Sequence, residues 1–312
     1  MKRRDFMAHA GMLTGAMMMP ASLLRAGAAP DSSLLFRDFA NVRIGVITYS
    51  FRSMPSTIDD LIGYLVKLGL TTVELMGGPI EDFAGAPQFP PLPQTPSEAQ
   101  QAERKAYAEE MRKWRTSASM DKFRKLRKKF DDEGINVDIV KFPLSRMSEE
   151  EIAYSFKVAH ELGASGITLE RSDEAVKDLA PYADKYKTRI GYHNHAEVNF
   201  NSWDKAVGYS PYNALNLDVG HYVAGTNESP IPLIKKYHDR ILNLHLKDRK
   251  KNNGDNMPWG QGDTPLREIL QLMKAEQYKF MGTIELEYPI PEGSDAVKEV
   301  QKCIDFCQNV LA

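Results

Sequence analysis

The sequence predicts an α/β chain folded as a single-domain (β/α)8 TIM barrel, on three observations. Eight short apolar runs alternate with longer helical patterns from residue 42 to the end. No G-x-G-x-x-G or G-x-x-x-x-G-K-[ST] follows an early strand, which removes the usual reason for an open doubly wound sheet. Within the apolar runs, polar residues recur at every second position, where a barrel interior is ordinarily packed.

In order, strands are expected at 43–49, 72–76, 136–142, 166–170, 189–195, 214–218, 241–246 and 282–287. Among the helical patterns between them, 58–68 stops at Gly69, 149–162 stops at Gly163, and 266–277 follows Thr264-Pro265. Glycine stops and short polar starts are the usual punctuation of helices. Residues 79–118 break the rhythm, with six prolines from Pro79 to Pro96 and a charged helical segment after them. This reads as an insertion after the second strand, on the rim where barrel active sites lie. It is a substrate lid, a surface hairpin or an oligomer contact, which leaves a homo-oligomer open.

Composition narrows the function classes. The 312 residues are 42% hydrophobic and 26% charged, ordinary globular usage that excludes disorder, collagen and coiled coil. Forty basic against 42 acidic residues give no surplus for nucleic acid. The two cysteines, Cys303 and Cys307, form no disulfide framework and read as packing. His160 and His238 lie in helical stretches and read as surface residues.

The first 28 residues read as an address. Lys2, Arg3 and Arg4 precede a stretch without formal charge from Phe6 to Leu24, then Ala26-Gly27-Ala28. Arg3-Arg4-x-Phe6-Met7 resembles the twin-arginine export motif, so a periplasmic or otherwise exported protein is expected, with an uncleaved anchor as the alternative. Residues 29–41 read as a linker and 42–312 as the barrel. Removing the signal takes four basic residues and one acidic one, moving the net charge from −2 to −5. No later run approaches the roughly 18 apolar residues of a membrane span.

Parity supplies the functional signal. In 241–247, Leu242, Leu244 and Leu246 share one face, and Asn243, His245 and Lys247 the other. Asn216 and Asp218, Thr283, Glu285 and Glu287, Thr168 and Glu170, and Gly191, His193 and His195 follow the same alternation. The outer faces must be apolar beneath the helices, so the polar set faces inward. Buried carboxylates without a partner cost several kcal/mol each, so something positive must compensate. Glu170, Asp218, His245 and Glu287 stand near the C-terminal ends of strands four, six, seven and eight. Together they make an oxygen-rich site for one divalent ion, suited to manganese or magnesium and tolerating cobalt or zinc. A salt-bridged layer using Lys141, Arg171, Lys247 and Arg249 is the alternative.

With these residues in place, the chain resembles the xylose-isomerase-like barrel family over residues 42–312. The resemblance rests on Leu217-Asp218-Val219-Gly220-His221, His245-Leu246-Lys247-Asp248 and Ile284-Glu285-Leu286-Glu287-Tyr288. Tyr192-His193-Asn194-His195 and Gly260-x-Gly262-Asp263 look most like the inosose-dehydratase branch. The resemblance implies one catalytic divalent metal held by Glu, Asp, His and Glu, with Asp218, His245 and Glu287 matching three of these. The family's strand-five glutamate is replaced by the Gly191-Tyr192-His193 stretch, and Glu170 takes its part. Glu285 is held in reserve, one layer deeper.

This set implies an isomerase or epimerase of an unphosphorylated sugar or keto-sugar, working through an enediolate. The alternative is a lyase or dehydratase of a keto-polyol or 3-keto-glycoside. Glu170, Glu287 and His195 are the acid–base candidates. His193, His195, His221, Lys141 and Lys247 are the substrate-binding candidates, with Lys247 and Asp248 also read as a supporting ion pair.

Overall fold

A computed structural model describes residues 39–88 and 97–312, all within the unit Ser33–Ala312. The expected signal at 1–28, most of the linker at 29–41 and residues 89–96 of the insertion lie outside the described residues. Among the described residues, no helix is long and apolar enough to cross a membrane.

The chain builds β1 (Ile44–Ile47), α1 (Ile58–Leu68), β2 (Thr72–Met76), α2 (Gly77–Phe83), α3 (Glu98–Ser117), α4 (Met120–Asp132) and β3 (Asn136–Lys141). Next come α5 (Glu149–Leu162), β4 (Gly166–Glu170), α6 (Asp173–Asp178), α7 (Ala180–Tyr186), β5 (Arg189–His193) and α8 (Asp204–Tyr209). Then follow β6 (Asn213–Asp218), α9 (Val219–Thr226), α10 (Ile231–Tyr237), β7 (Ile241–Leu246) and the short hairpin β8 (Asp248–Arg249) with β9 (Asn256–Met257). The chain closes with α11 (Leu266–Ala275), β10 (Met281–Ile284) and α12 (Ala296–Leu311). The eight long strands are parallel and close in the order β1-β10-β7-β6-β5-β4-β3-β2, the single-domain (β/α)8 barrel that the alternation predicts.

Two strands stop earlier than their parity suggests, each because a side chain takes over the ladder's hydrogen bonds. After His193, the Asn194 amide donates to Asp218 O, and its Oδ1 accepts from Asp218 N. After Ile284, Ser50 Oγ accepts from Leu286 N and donates to Ile284 O. His195, Glu285 and Glu287 therefore stand on turns just past the strands.

Leu242 corrects the parity reading. The ladder pairs Leu215 with Ile241 but Asn216 with Asn243, so Leu242 is the extra residue of a bulge. It turns inward and joins Ile139, Ala214 and Met281 in a small apolar plug. Gly166 and Gly191 make room for it, since a Cβ at either would lie 2.6 or 2.9 Å from Leu242 Cδ2. Leu244, Leu246, Leu215, Leu217, Ile167, Leu169 and Ile284 belong to the main core between barrel and helices.

The insertion is fastened to the side of the barrel. Arg115 of α3 makes a bidentate contact with Glu81 of α2 (2.8 and 3.0 Å) and reaches Glu151 of α5 at 2.8 Å. His160 and His238 are exposed, and both cysteines are buried thiols.

Candidate functional site

The interior above the plug is polar and almost dry. Glu74, His193, Asn216, Asp218, Asn243, His245, Lys247, Thr283 and Glu285 are all buried. The register places Asp218 beside His245 and His245 beside Thr283, so three strands present side chains at one level.

His245 is the centre of this layer. Its Nε2 lies 2.7 Å from Glu74 Oε2, and its Nδ1 lies 3.0 Å from Glu285 Oε2. Burial opposes the charged ring, but the Glu285 and Glu74 carboxylates outweigh it and push its pKa to about 10. Glu74 also accepts from Thr168 Oγ1 at 2.5 Å and Asn243 Nδ2 at 2.8 Å. Held this way, Nε2–H is committed to Glu74, and Nδ1 is the nitrogen that faces the other acids.

Ligand atoms of His193, Asp218, His245 and Glu285 all lie within 4.8 Å of one another. One atom of this group, His193 Nδ1, lacks a hydrogen-bond partner among the described residues, whereas Asp218 Oδ2 is met by Lys247 Nζ at 3.0 Å. Burial first, then the neighbouring His245 and Lys141 charges, hold His193 far below the usual imidazole range, so its lone pair is free. The other oxygen of Asp218 caps α9 by accepting from His221 N at 2.6 Å. Burial raises the Asp218 pKa, against the pull of Lys247. Glu285 is likewise buried, but Lys247 and His245 keep it well below the carboxylate range.

Lys247 supplies a positive charge to the cluster. Its Nζ lies 3.0 Å from Asp218 Oδ2, 2.9 Å from Glu285 Oε2 and 2.7 Å from Glu287 Oε2. Burial disfavours the ammonium, and these three acids more than restore it. The carboxyl groups of Glu74, Asp218, Glu285 and Glu287 thus surround Lys247 and His245, with the Lys141 charge acting on Glu74 and Glu285 as well. The unpartnered His193 Nδ1 and the mixed nitrogen–oxygen donor set of His193, Asp218, His245 and Glu285 fit a divalent ion.

A second group sits at the mouth and shares His193 with the first. Ligand atoms of Glu170, His193 and His195 also lie within 4.8 Å of one another. Glu170 Oε2 is 2.8 Å from His195 Nε2, and Oε1 is 2.8 Å from Lys141 Nζ. Burial would raise the Glu170 pKa, but His195 and Lys141 bring it down to about 2. The same contact with Glu170 raises His195. His221 is neutral, with burial and the Lys247 charge lowering it to about 3. Arg249 Nη1 lies 2.6 Å from its Nδ1 and Lys247 Nζ 3.0 Å from its Nε2, so both ring nitrogens face cationic donors.

The structure regroups the predicted quartet. Asp218 and His245 stand together, but Glu170 lies at the mouth with His195 and Lys141, and Glu287 binds Lys247. His193 and Glu285 complete the inner group. Glu287 is two residues past Glu285, about 6–7 Å further along extended chain, beyond the level of His245. The expected Lys247–Asp248 pair is absent among the described residues. Asp248 instead accepts from the backbone N–H groups of Gly260, Gly262 and Thr264 and fixes the loop after β9. Sequence reasoning missed Glu74, whose signal was a lone acid between Val73 and Leu75 in an apolar strand.

A family model described as xylose isomerase-like TIM barrel matches residues 154–309, half of the chain. Among solved structures, the probable 3-DHS dehydratase AsbF of Bacillus anthracis aligns at 11% identity and TM-score 0.60, covering 85% of this chain and 99% of that one. IOLI protein with a binding zinc atom aligns at 14% and 0.59, covering 86% and 98%. D-psicose 3-epimerase in the presence of D-fructose aligns at 15% and 0.55, covering 86% and 99%. At these identities the likeness establishes the fold. No curated protein matches the sequence.

Proposed function

The chain belongs to the xylose isomerase-like TIM barrel family, and on that premise we propose a divalent-metal-dependent isomerase or epimerase of an unphosphorylated sugar or keto-sugar. His193, Asp218, His245 and Glu285 are the residues that would hold the metal. A divalent ion bound there would polarise a carbonyl and the neighbouring hydroxyl, making the C–H between them acidic. The observation that carries the reading is the placement of two carboxylates at the mouth. Glu170 ends β4 and Glu287 follows β10, and these strands are four places apart in a ring of eight. The two carboxylates therefore stand on opposite sides of the opening, each with an ammonium within 2.8 Å.

Such a pair removes a proton from one face of a substrate carbon and returns one to the other face, or to the adjacent carbon. Lys141 helps keep Glu170 ionised, and Lys141 and Lys247 offer charge to an enediolate oxygen. His195 would carry the proton of its pair with Glu170, and His221 would contact a substrate hydroxyl. The epimerase among the structural neighbours acts on a sugar of this kind, which supports the substrate class.

Elimination is the second reading, favoured by the His195–Glu170 hydrogen bond. An imidazolium there would protonate a departing hydroxyl, as a dehydratase requires. Manganese-loaded protein incubated with keto-sugars in deuterated water separates the two. Deuterium gained at carbon without loss of water supports isomerisation; water loss supports the lyase; no exchange with any keto-sugar or keto-polyol rejects both. Export of the protein, from the pattern at 1–28, belongs to the same proposal.

A further inference from the structure

Beside the mouth, between the ends of β2, β3 and β4, lies a cavity of about 370 Å3. Met76, Pro143, Gly77 and Gly78 give it apolar surface, Ser145 also lines it, and Phe142 and Leu169 border it while only 1% exposed. Lys141 and Glu170 line it too, so the cavity and the polar mouth share one wall. On its outer side stands Arg115 of the insertion, already neutralised by Glu81 and Glu151. Arg146 is exposed at the edge.

The two glycines have different reasons. A Cβ on Gly77 would meet the Phe142 ring at 2.8 Å and Lys141 O at 2.9 Å, so Gly77 is where the two loops touch. A Cβ on Gly78 would meet nothing within 4 Å. The space over Gly78 is therefore open, and no backbone constraint requires a glycine there.

The chemistry of the walls selects the occupant. Sugar hydroxyls against Met76 and Pro143 would lose hydrogen bonds to water with nothing in return. An apolar cavity of about 150 Å3 suffices for benzene, so this one has room for one or two fused rings. Building on the carbohydrate reading above, we infer that the substrate is a sugar bearing an apolar, ring-sized substituent, whose ring enters this cavity while its polyhydroxy part faces Glu170, His193 and His195. The insertion then serves as the outer wall of an aglycone subsite.

The test is calorimetric binding of paired glycosides to the full-length protein, with manganese present. The pairs are the 4-nitrophenyl and methyl β-glycosides of glucose, galactose and xylose. The 4-nitrophenyl member of at least one pair should bind on the order of tenfold tighter or more. Gly78→Leu and Ser145→Leu each add a bulky side chain to the lining. At least one should abolish that preference while leaving the affinity of the methyl partner within about twofold. Equal affinity within every pair overturns the inference, as does a preference that survives both substitutions. The deuterium experiment keeps the two readings separable. Exchange on small keto-sugars without aryl preference sinks the subsite alone; aryl preference without exchange sinks the reaction alone.

Discussion

Glu74 Oε2 lies 2.7 Å from His245 Nε2, with both side chains fully buried. A carboxylate in this position fixes the ring's orientation and turns Nδ1 toward Asp218, His193 and Glu285. Partners of this kind typically contribute 10–100-fold to metal affinity. Glu74→Gln should therefore weaken manganese binding by about that factor in a calorimetric titration. Unchanged affinity would show that Glu74 does no more than satisfy the core.

Lys247 holds Asp218, Glu285 and Glu287 together in the absence of a metal. Lys247→Met leaves buried carboxylates without that cation, a loss of roughly 3–5 kcal/mol in comparable pairs. The metal-free variant should melt well below the wild type, and manganese should raise its melting temperature by more than it raises the wild type's. Equal metal-induced shifts would contradict this role.

Glu170 raises the pKa of His195 by hydrogen-bonding to its protonated ring. Stabilising the imidazolium favours the folded protein at low pH, and that contribution fades as pH climbs through the raised folded-state value. Glu170→Gln should move the His195 midpoint back down toward about 6.5, as read from its imidazole resonance by NMR. A midpoint that stays put or rises would refute the pairing.

Gly225 packs against the turn that carries His195. A Cβ there would lie 2.0 Å from Ala196 O, and backbone cannot yield as a side-chain tip does. Gly225→Ala should destabilise the protein by about 1–3 kcal/mol in urea denaturation. It should also shift the His195 resonance. A neutral result in both would mean that the turn tolerates displacement.

The sequence made the barrel legible because alternation and parity are both local patterns. Asp218 and His245 stood out for the same reason, as polar residues on the inward side of Leu217, Leu244 and Leu246. Parity gives the face of a strand but not the depth along the barrel. Glu285 and Glu287 share a face, and only the contact with His245 Nδ1 shows that Glu285 is the one that reaches it. The bulge at Leu242 and the side chains of Asn194 and Ser50, which end two ladders, depend on contacts across the sheet. Glu170 ends its strand level with His193 but turns to Lys141 and His195, an arrangement that parity alone does not give.

The most direct test counts manganese bound per chain in four single variants of the full-length protein. Asp218→Asn and Glu285→Gln should lose the ion, whereas Glu170→Gln and Glu287→Gln should retain one equivalent. Full occupancy in Glu285→Gln, with loss in Glu170→Gln and Glu287→Gln, would place the ion at the mouth and contradict the inner site.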